Sequence, residues 1–156
     1  MGSPLNLVLD ANIVVDLIKQ AVGAEQPARE MRELNAALQT DQYRPVISRH
    51  IAEVTATVLR RSMPEESART GLNYLGAWLR SVGGHVDTSK EDYQELSQRC
   101  WKRFGTDTED EAVLACAERN EAAVVTNDRD FAQYLGDRKI TSWSLDSFTA
   151  KALIPA

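Results

Sequence analysis

The stretch that decides the fold is AAVVTNDRDF, Ala122 to Phe131. A short apolar, β-branched run stops at a Thr and an Asn, and Asp128 and Asp130 follow at once. A run of this length between polar residues reads as a buried strand. It also points into carboxylates, which are costly beside a low-dielectric core unless something compensates their charge.

Outward from that strand the same grammar recurs. LNLVLD is a second apolar strand, ending at Asp10, and ANIVVDLIKQA after it has helical spacing. PAREMRELNAALQT reads as a helix with Pro27 near its start, where a missing N–H matters least. RPVIS is a brief strand, followed by a helix capped by Ser48 that is expected to turn Ile51, Val54 and Val58 inward. Pro64 opens another helix carrying Leu72, Leu75 and Leu79, and Gly83-Gly84 turn the chain into the strand HVD. A helix over SKEDYQELSQRCWKRF and another over EDEAVLACAERN lead to the strand AAVVT. A short helix around RDFAQYL, a strand KITSW and a helix LDSFTAKAL complete the chain. Strands alternating with helices imply a parallel sheet covered on both faces. In such sheets ligands gather at the carboxyl ends of strands, where strand order reverses. Asp10 and Asp128 each stand at or just past a strand end.

Length and composition fit one domain over residues 1–156, since 156 residues suffice for one core. Lys and Arg number 18 against 23 Asp and Glu, a net charge of −5, which weighs against binding nucleic acid through bulk positive charge. A local basic rim or an acid-rich metal site remains open. Cys100 and Cys116 lie in helical, apolar surroundings without metal-ligand spacing, as free thiols of a reducing compartment do. The apolar N-terminus has no basic leader, and Asp10 and Asp16 interrupt it, so neither a signal peptide nor a membrane span is expected. The expected location is cytoplasmic.

Four acids stand out: Asp10, Glu53 among Ile51, Ala52 and Val54, Asp110 in a first helical turn, and Asp128. Singly, each has an ordinary reading: a cap, a surface carboxylate, a dipole-favoured acid, a turn former. Together they are expected beside one sheet edge, and convergent carboxylates need a cation to stay ionised. Oxygen ligands alone suit a hard ion, Mg²⁺ or Mn²⁺.

Three blocks, LVLDANIVVDLI, PVISRHIAEVTATVLRR and DEAVLACAERNEAAVVTNDRDFA, resemble the PIN-domain family in order and spacing, the third most specifically. The resemblance implies a three-layer α/β/α sandwich around a central, mostly parallel twisted sheet of about five strands. It implies metal-binding, catalytic acids at Asp10, Glu53, Asp110 and Asp128, with Glu111 as the neighbouring alternative to Asp110. Asp130 is an added ligand if a second ion binds, and Asn12, Thr126 and Arg49 support the pocket or the substrate. The implied activity is a Mg²⁺- or Mn²⁺-dependent endoribonuclease leaving 5′-phosphate and 3′-hydroxyl ends. Stand-alone PIN domains of this size resemble ribonuclease toxins, which implies an antitoxin partner and a homodimer. A basic rim for the RNA substrate is sought at Arg49, Arg60, Arg61, Lys102 and Arg103, and base stacking at Trp78, Trp101 and Trp143, of which at least two are expected in the core.

Three other readings compete. A phosphatase of the haloacid dehalogenase type wants a second Asp where Asn12 stands. A response-regulator receiver wants paired acids and a late Lys, and Glu53 on a helix fits neither. A PIN-fold binding or assembly module without turnover is the remaining alternative.

Overall fold

The computed structural model describes residues 3–21, 29–89, 95, 98 and 108–152. Five strands form one sheet: β1 (Leu5–Leu9), β2 (Tyr43–Ser48), β3 (His85–Asp87), β4 (Ala123–Val125) and β5 (Ser142–Trp143). Their spatial order is β3-β2-β1-β4-β5, and every pairing is parallel. The helices are α1 (Ala11–Ala21), α2 (Arg29–Leu38), α3 (Arg49–Ser62), α4 (Glu65–Ser81), α5 (Thr108–Asn120), α6 (Arg129–Asp137) and α7 (Leu145–Ala152). The helix expected over 89–104 falls mostly outside the described residues, as do Cys100, Trp101, Lys102 and Arg103. No helix among the described residues is long and apolar enough to cross a membrane.

Leu7, Val8 and Leu9 are all at most 1% exposed. Neighbouring strand residues point to opposite faces, so β1 is covered by helices on both sides, the α/β/α sandwich expected of an all-parallel sheet. Val46 and Ile47 of β2 and Val124 and Val125 of β4 extend the same core. β1 pairs with β2 on one side and β4 on the other, so the connections leave it in opposite directions. A crevice at the carboxyl end of β1 and β4 follows from that reversal.

Three helices end alike. Gly83, Glu121 and Lys139 all have positive φ, and the residue after each donates its N–H to a carbonyl five residues back: Gly84 to Leu79, Ala122 to Ala117 and Ile140 to Leu135. This left-handed closure is easiest for glycine, yet only the first position has one. It also shortens the expected strands, because Ala122 and Lys139 to Ile140 still belong to helix ends. Gly84 is required for another reason. A Cβ there would stand 2.6 Å from the Pro45 carbonyl oxygen, so β3 could not enter the sheet beside β2.

The inward face of α3 differs from expectation. Ile51, Thr55 and Leu59 are buried, whereas Val54 is half-buried and Val58 is 38% exposed. Both stripes have helical spacing, and the methyl group of Thr55 lets a polar residue take a core position. On α4 the buried residues include Leu75, Trp78 and Leu79, with Leu72 half-buried. The Trp78 indole donates to Asn35 Oδ1 at 2.9 Å, tying α4 to α2 as a core residue. Trp143 is half-buried against Phe148, with the Lys151 ammonium 4.4 Å from its ring centre. Cys116 is a buried free thiol, as expected.

Asp87, at the end of β3, anchors α5. Its Oδ2 accepts from Arg119 Nε at 3.1 Å, Asn120 Nδ2 at 2.9 Å and Cys116 Sγ at 3.7 Å, and its Oδ1 accepts from the Ser89 N–H at 3.0 Å. Burial works against the charge of Asp87. Hydrogen bonds from Ser89, Asn120 and Arg119 outweigh it and hold the carboxyl well below the usual carboxylate range.

Candidate active site

Asp10 follows β1 directly and is 8% exposed. Its Oδ1 accepts the Ala11 N–H at 2.8 Å and its Oδ2 the Thr126 hydroxyl at 2.7 Å. Its own N–H donates to the Val125 carbonyl at 3.1 Å, so backbone and side chain both lock it to β4. Its carbonyl accepts from Ile13 and Val14, starting α1. A carboxylate oxygen carries two lone pairs, so accepting these bonds is compatible with also binding a cation.

Thr126, 2% exposed, is the hinge of the site. While donating to Asp10, its Oγ1 accepts the Asp128 N–H at 3.1 Å. Asp128 is the N-cap of α6, its Oδ1 accepting from the Phe131 N–H at 3.1 Å. Its Oδ2 makes no hydrogen bond among the described residues. Asn127 turns the other way and accepts the Leu145 N–H at 2.9 Å, fixing the start of α7.

These residues open onto a cleft of about 680 Å³ whose walls include Asp10, Asn12, Asp16, Glu109, Asp110 and Asp128. Ala11, Val15 and Lys19 of α1 and Val54 and Val58 of α3 complete it. Three of the four expected acids therefore share one cleft, and Asn12 lies with them. Glu53 does not line it. Its side chain is 52% exposed and paired with Arg49 Nε at 3.3 Å, one residue before the cleft-lining Val54. Asp130 is exposed in the first turn of α6 and is not a wall residue, and Arg60 and Arg61 are exposed at the end of α3.

Asp110 and Glu111 take different places in the fold. Asp110 faces the cleft, whereas Glu111 is fully buried and its Oε1 accepts the Tyr134 hydroxyl at 2.9 Å, joining α5 to α6. Asp16, Glu109 and Lys19 also line the cleft, outside the family motif. For α1 the signal was present, because positions 12, 15, 16 and 19 repeat at helical spacing and share one face.

The donor set is all oxygen, and Asp10 is held rigidly, which suits a hard divalent ion. The carboxylates line the cleft without closing into a ligand shell: among the described residues, no three His, Cys, Asp or Glu are placed to hold a metal ion.

Residues 6–130 match the PIN domain family. The chain belongs to that family. PIN domains are typically metal-dependent nucleases. The fold is similar to that of a PilT N-terminus domain protein from the hyperthermophilic archaeon Sulfolobus solfataricus, at a TM-score of 0.53 and 11% identity, covering 97% of each chain. It is similar also to PAE2754 from Pyrobaculum aerophilum, at a TM-score of 0.59 and 14% identity, covering 96% of this chain and 97% of that one. No curated protein matches the sequence. Within this PIN domain, the acid cleft stands at the reversal point of the sheet between β1 and β4.

Proposed function

We propose that this PIN domain is an endoribonuclease that hydrolyses RNA phosphodiester bonds with Mg²⁺ or Mn²⁺ in the acid cleft. The observation that carries the reading is the shared cleft of Asp10, Asp110 and Asp128, with Asp10 locked between two donors. Asp10 and Asp110 would draw together on the ion and Asp128 would reach it through the bound water, since the acids do not form a closed ligand shell without it. The ion would supply Lewis acidity and charge neutralisation. Glu53 is kept as the fourth ligand on its motif. Its partner Arg49 is 43% exposed, and an exposed ion pair is weak enough to exchange for a cation.

Asp128 is suited to orient the attacking water and take its proton, since Oδ1 is tied to α6 while Oδ2 makes no hydrogen bond among the described residues. The water oxygen bonds to phosphorus as the bond from phosphorus to O3′ breaks. O3′ leaves and takes a proton from solvent, to which Asp128 returns its own, giving 5′-phosphate and 3′-hydroxyl ends. The proposed context is the toxin of a toxin–antitoxin pair, a cytoplasmic homodimer bound by a small antitoxin protein. It is tested by growth arrest on induced expression and relief by the partner.

The competing reading, a binding module without turnover, draws on the Arg49–Glu53 pair and the open spacing of the acids. End-labelled single-stranded RNA in Mn²⁺, with wild type beside Asp10→Asn, separates the two. Cleavage by the wild type alone, lost with chelator and leaving 5′-phosphate ends, supports the nuclease. Absence of cleavage by both supports the module.

A further inference from the structure

The acid cleft contains a cation that the hydrolytic site does not use. Lys19 is the one basic residue among the described residues lining it, against Asp10, Asp16, Glu109, Asp110 and Asp128. It is half-buried in the last turn of α1, on the face that also carries Asn12, Val15 and Asp16 into the cleft. Asn12 and Lys19 are seven residues apart, which spans about 10 Å along the helix axis. The cleft thus has a metal-binding end at Asp10 and a positive point two turns away.

A phosphodiester chain entering this cleft meets strong repulsion. The chain as a whole carries −5, so no bulk field draws RNA in. An ion at Asp10 neutralises the scissile phosphate but not its neighbours. On α3, the neighbouring helix, Val54 and Val58 give the cleft an apolar wall, with Val58 38% exposed. Unstacked bases can lie against such a wall, whereas a duplex keeps its base faces hidden. Backbone toward Lys19 and bases toward the valines is an arrangement available to a single strand.

We infer that Lys19 is a substrate-binding residue, holding a phosphate that flanks the scissile one on single-stranded RNA lying along α1. The inference rests on the nuclease reading above. The ordinary role of a lysine here is to favour the carboxyl end of its helix. That role affects stability and leaves RNA binding unchanged.

The test is cleavage kinetics on a short single-stranded RNA in Mn²⁺ at several salt concentrations, for wild type, Lys19→Ala and Lys19→Arg, with thermal melts alongside. Alanine is a good helix former, so Lys19→Ala retains α1. It is expected to raise KM about 5–10-fold with kcat within about twofold. The salt dependence of kcat/KM should become shallower by about 0.7 in log–log slope, the share of one single-strand phosphate. Lys19→Arg should restore both. Unchanged KM and salt slope in Lys19→Ala, with or without a lower Tm, would overturn the assignment while wild-type cleavage leaves the nuclease reading intact. A wild type that cleaves no RNA overturns the nuclease reading, and Lys19 with it.

Discussion

The Thr126 hydroxyl donates to Asp10 Oδ2 at 2.7 Å, joining residues 116 positions apart. The same oxygen accepts from the Asp128 N–H at 3.1 Å, so one buried side chain sets the position of two acids. Thr126→Val keeps the shape and removes both bonds. We expect a loss of about 1–3 kcal/mol in stability from the polar groups left unpaired. We also expect a larger fall in kcat than in metal-free stability, with Thr126→Ser close to wild type. Urea denaturation and RNA cleavage on the same three proteins test this.

Asp128 has two separable duties, capping α6 through Oδ1 and facing the cleft. Asparagine caps as well as aspartate, so Asp128→Asn should retain stability. As the proposed base it should lose roughly 10²–10⁴-fold in kcat. Asp128→Ala should lose that activity and about 1 kcal/mol of stability as well. Equal activity in Asp128→Asn and wild type would remove Asp128 from the chemistry.

Asp110 and Glu111 are adjacent yet serve different ends. Asp110→Asn should abolish cleavage and leave the melting temperature near wild type. Tyr134→Phe strips a donor from the fully buried Glu111 and should destabilise by about 1–3 kcal/mol with RNA cleavage retained. Thermal melts paired with cleavage assays separate the two residues.

Asp87 predicts an acid limb of stability. Its folded carboxyl titrates well below its unfolded value, so the charged form stabilises the fold at neutral pH. That contribution is complete well above the unfolded value of about 3.9 and is lost as the pH falls through it toward the folded value. Denaturation at descending pH should find Asp87→Asn less stable than wild type near pH 7, with the gap closing below about pH 4. A gap that widens on acidification would contradict this.

What could be read from the sequence follows from how each element is buried. β1 and β4 are covered on both faces, so LNLVLD and AAVVT are continuous apolar runs and their terminal acids stand out. The cleft face of α1 is legible only in part: Asn12 enters through the family motif, whereas Asp16 and Lys19, although at helical spacing from it, look like an ordinary polar helix surface. The inward face of α3 departs from its apolar pattern for a related reason. Thr55 fills the core with its methyl, while Val54 and Val58, apolar and core-like in type, serve the cleft. Helix ends at Glu121 and Lys139 lack the glycine that usually marks them, so the strands after them are shorter than their apolar runs. Glu53 is legible through its motif, since its side chain is 52% exposed and paired with Arg49 in the manner of a surface acid.

If the three cleft acids hold one divalent ion, its binding can be read without RNA. Calorimetric titration of Mn²⁺ into wild type, Asp10→Asn and Asp110→Asn should give saturable binding near one equivalent in the wild type. It should weaken by tenfold or more in each variant. Equal binding by all three proteins, or none by the folded wild type, would contradict a metal site at Asp10.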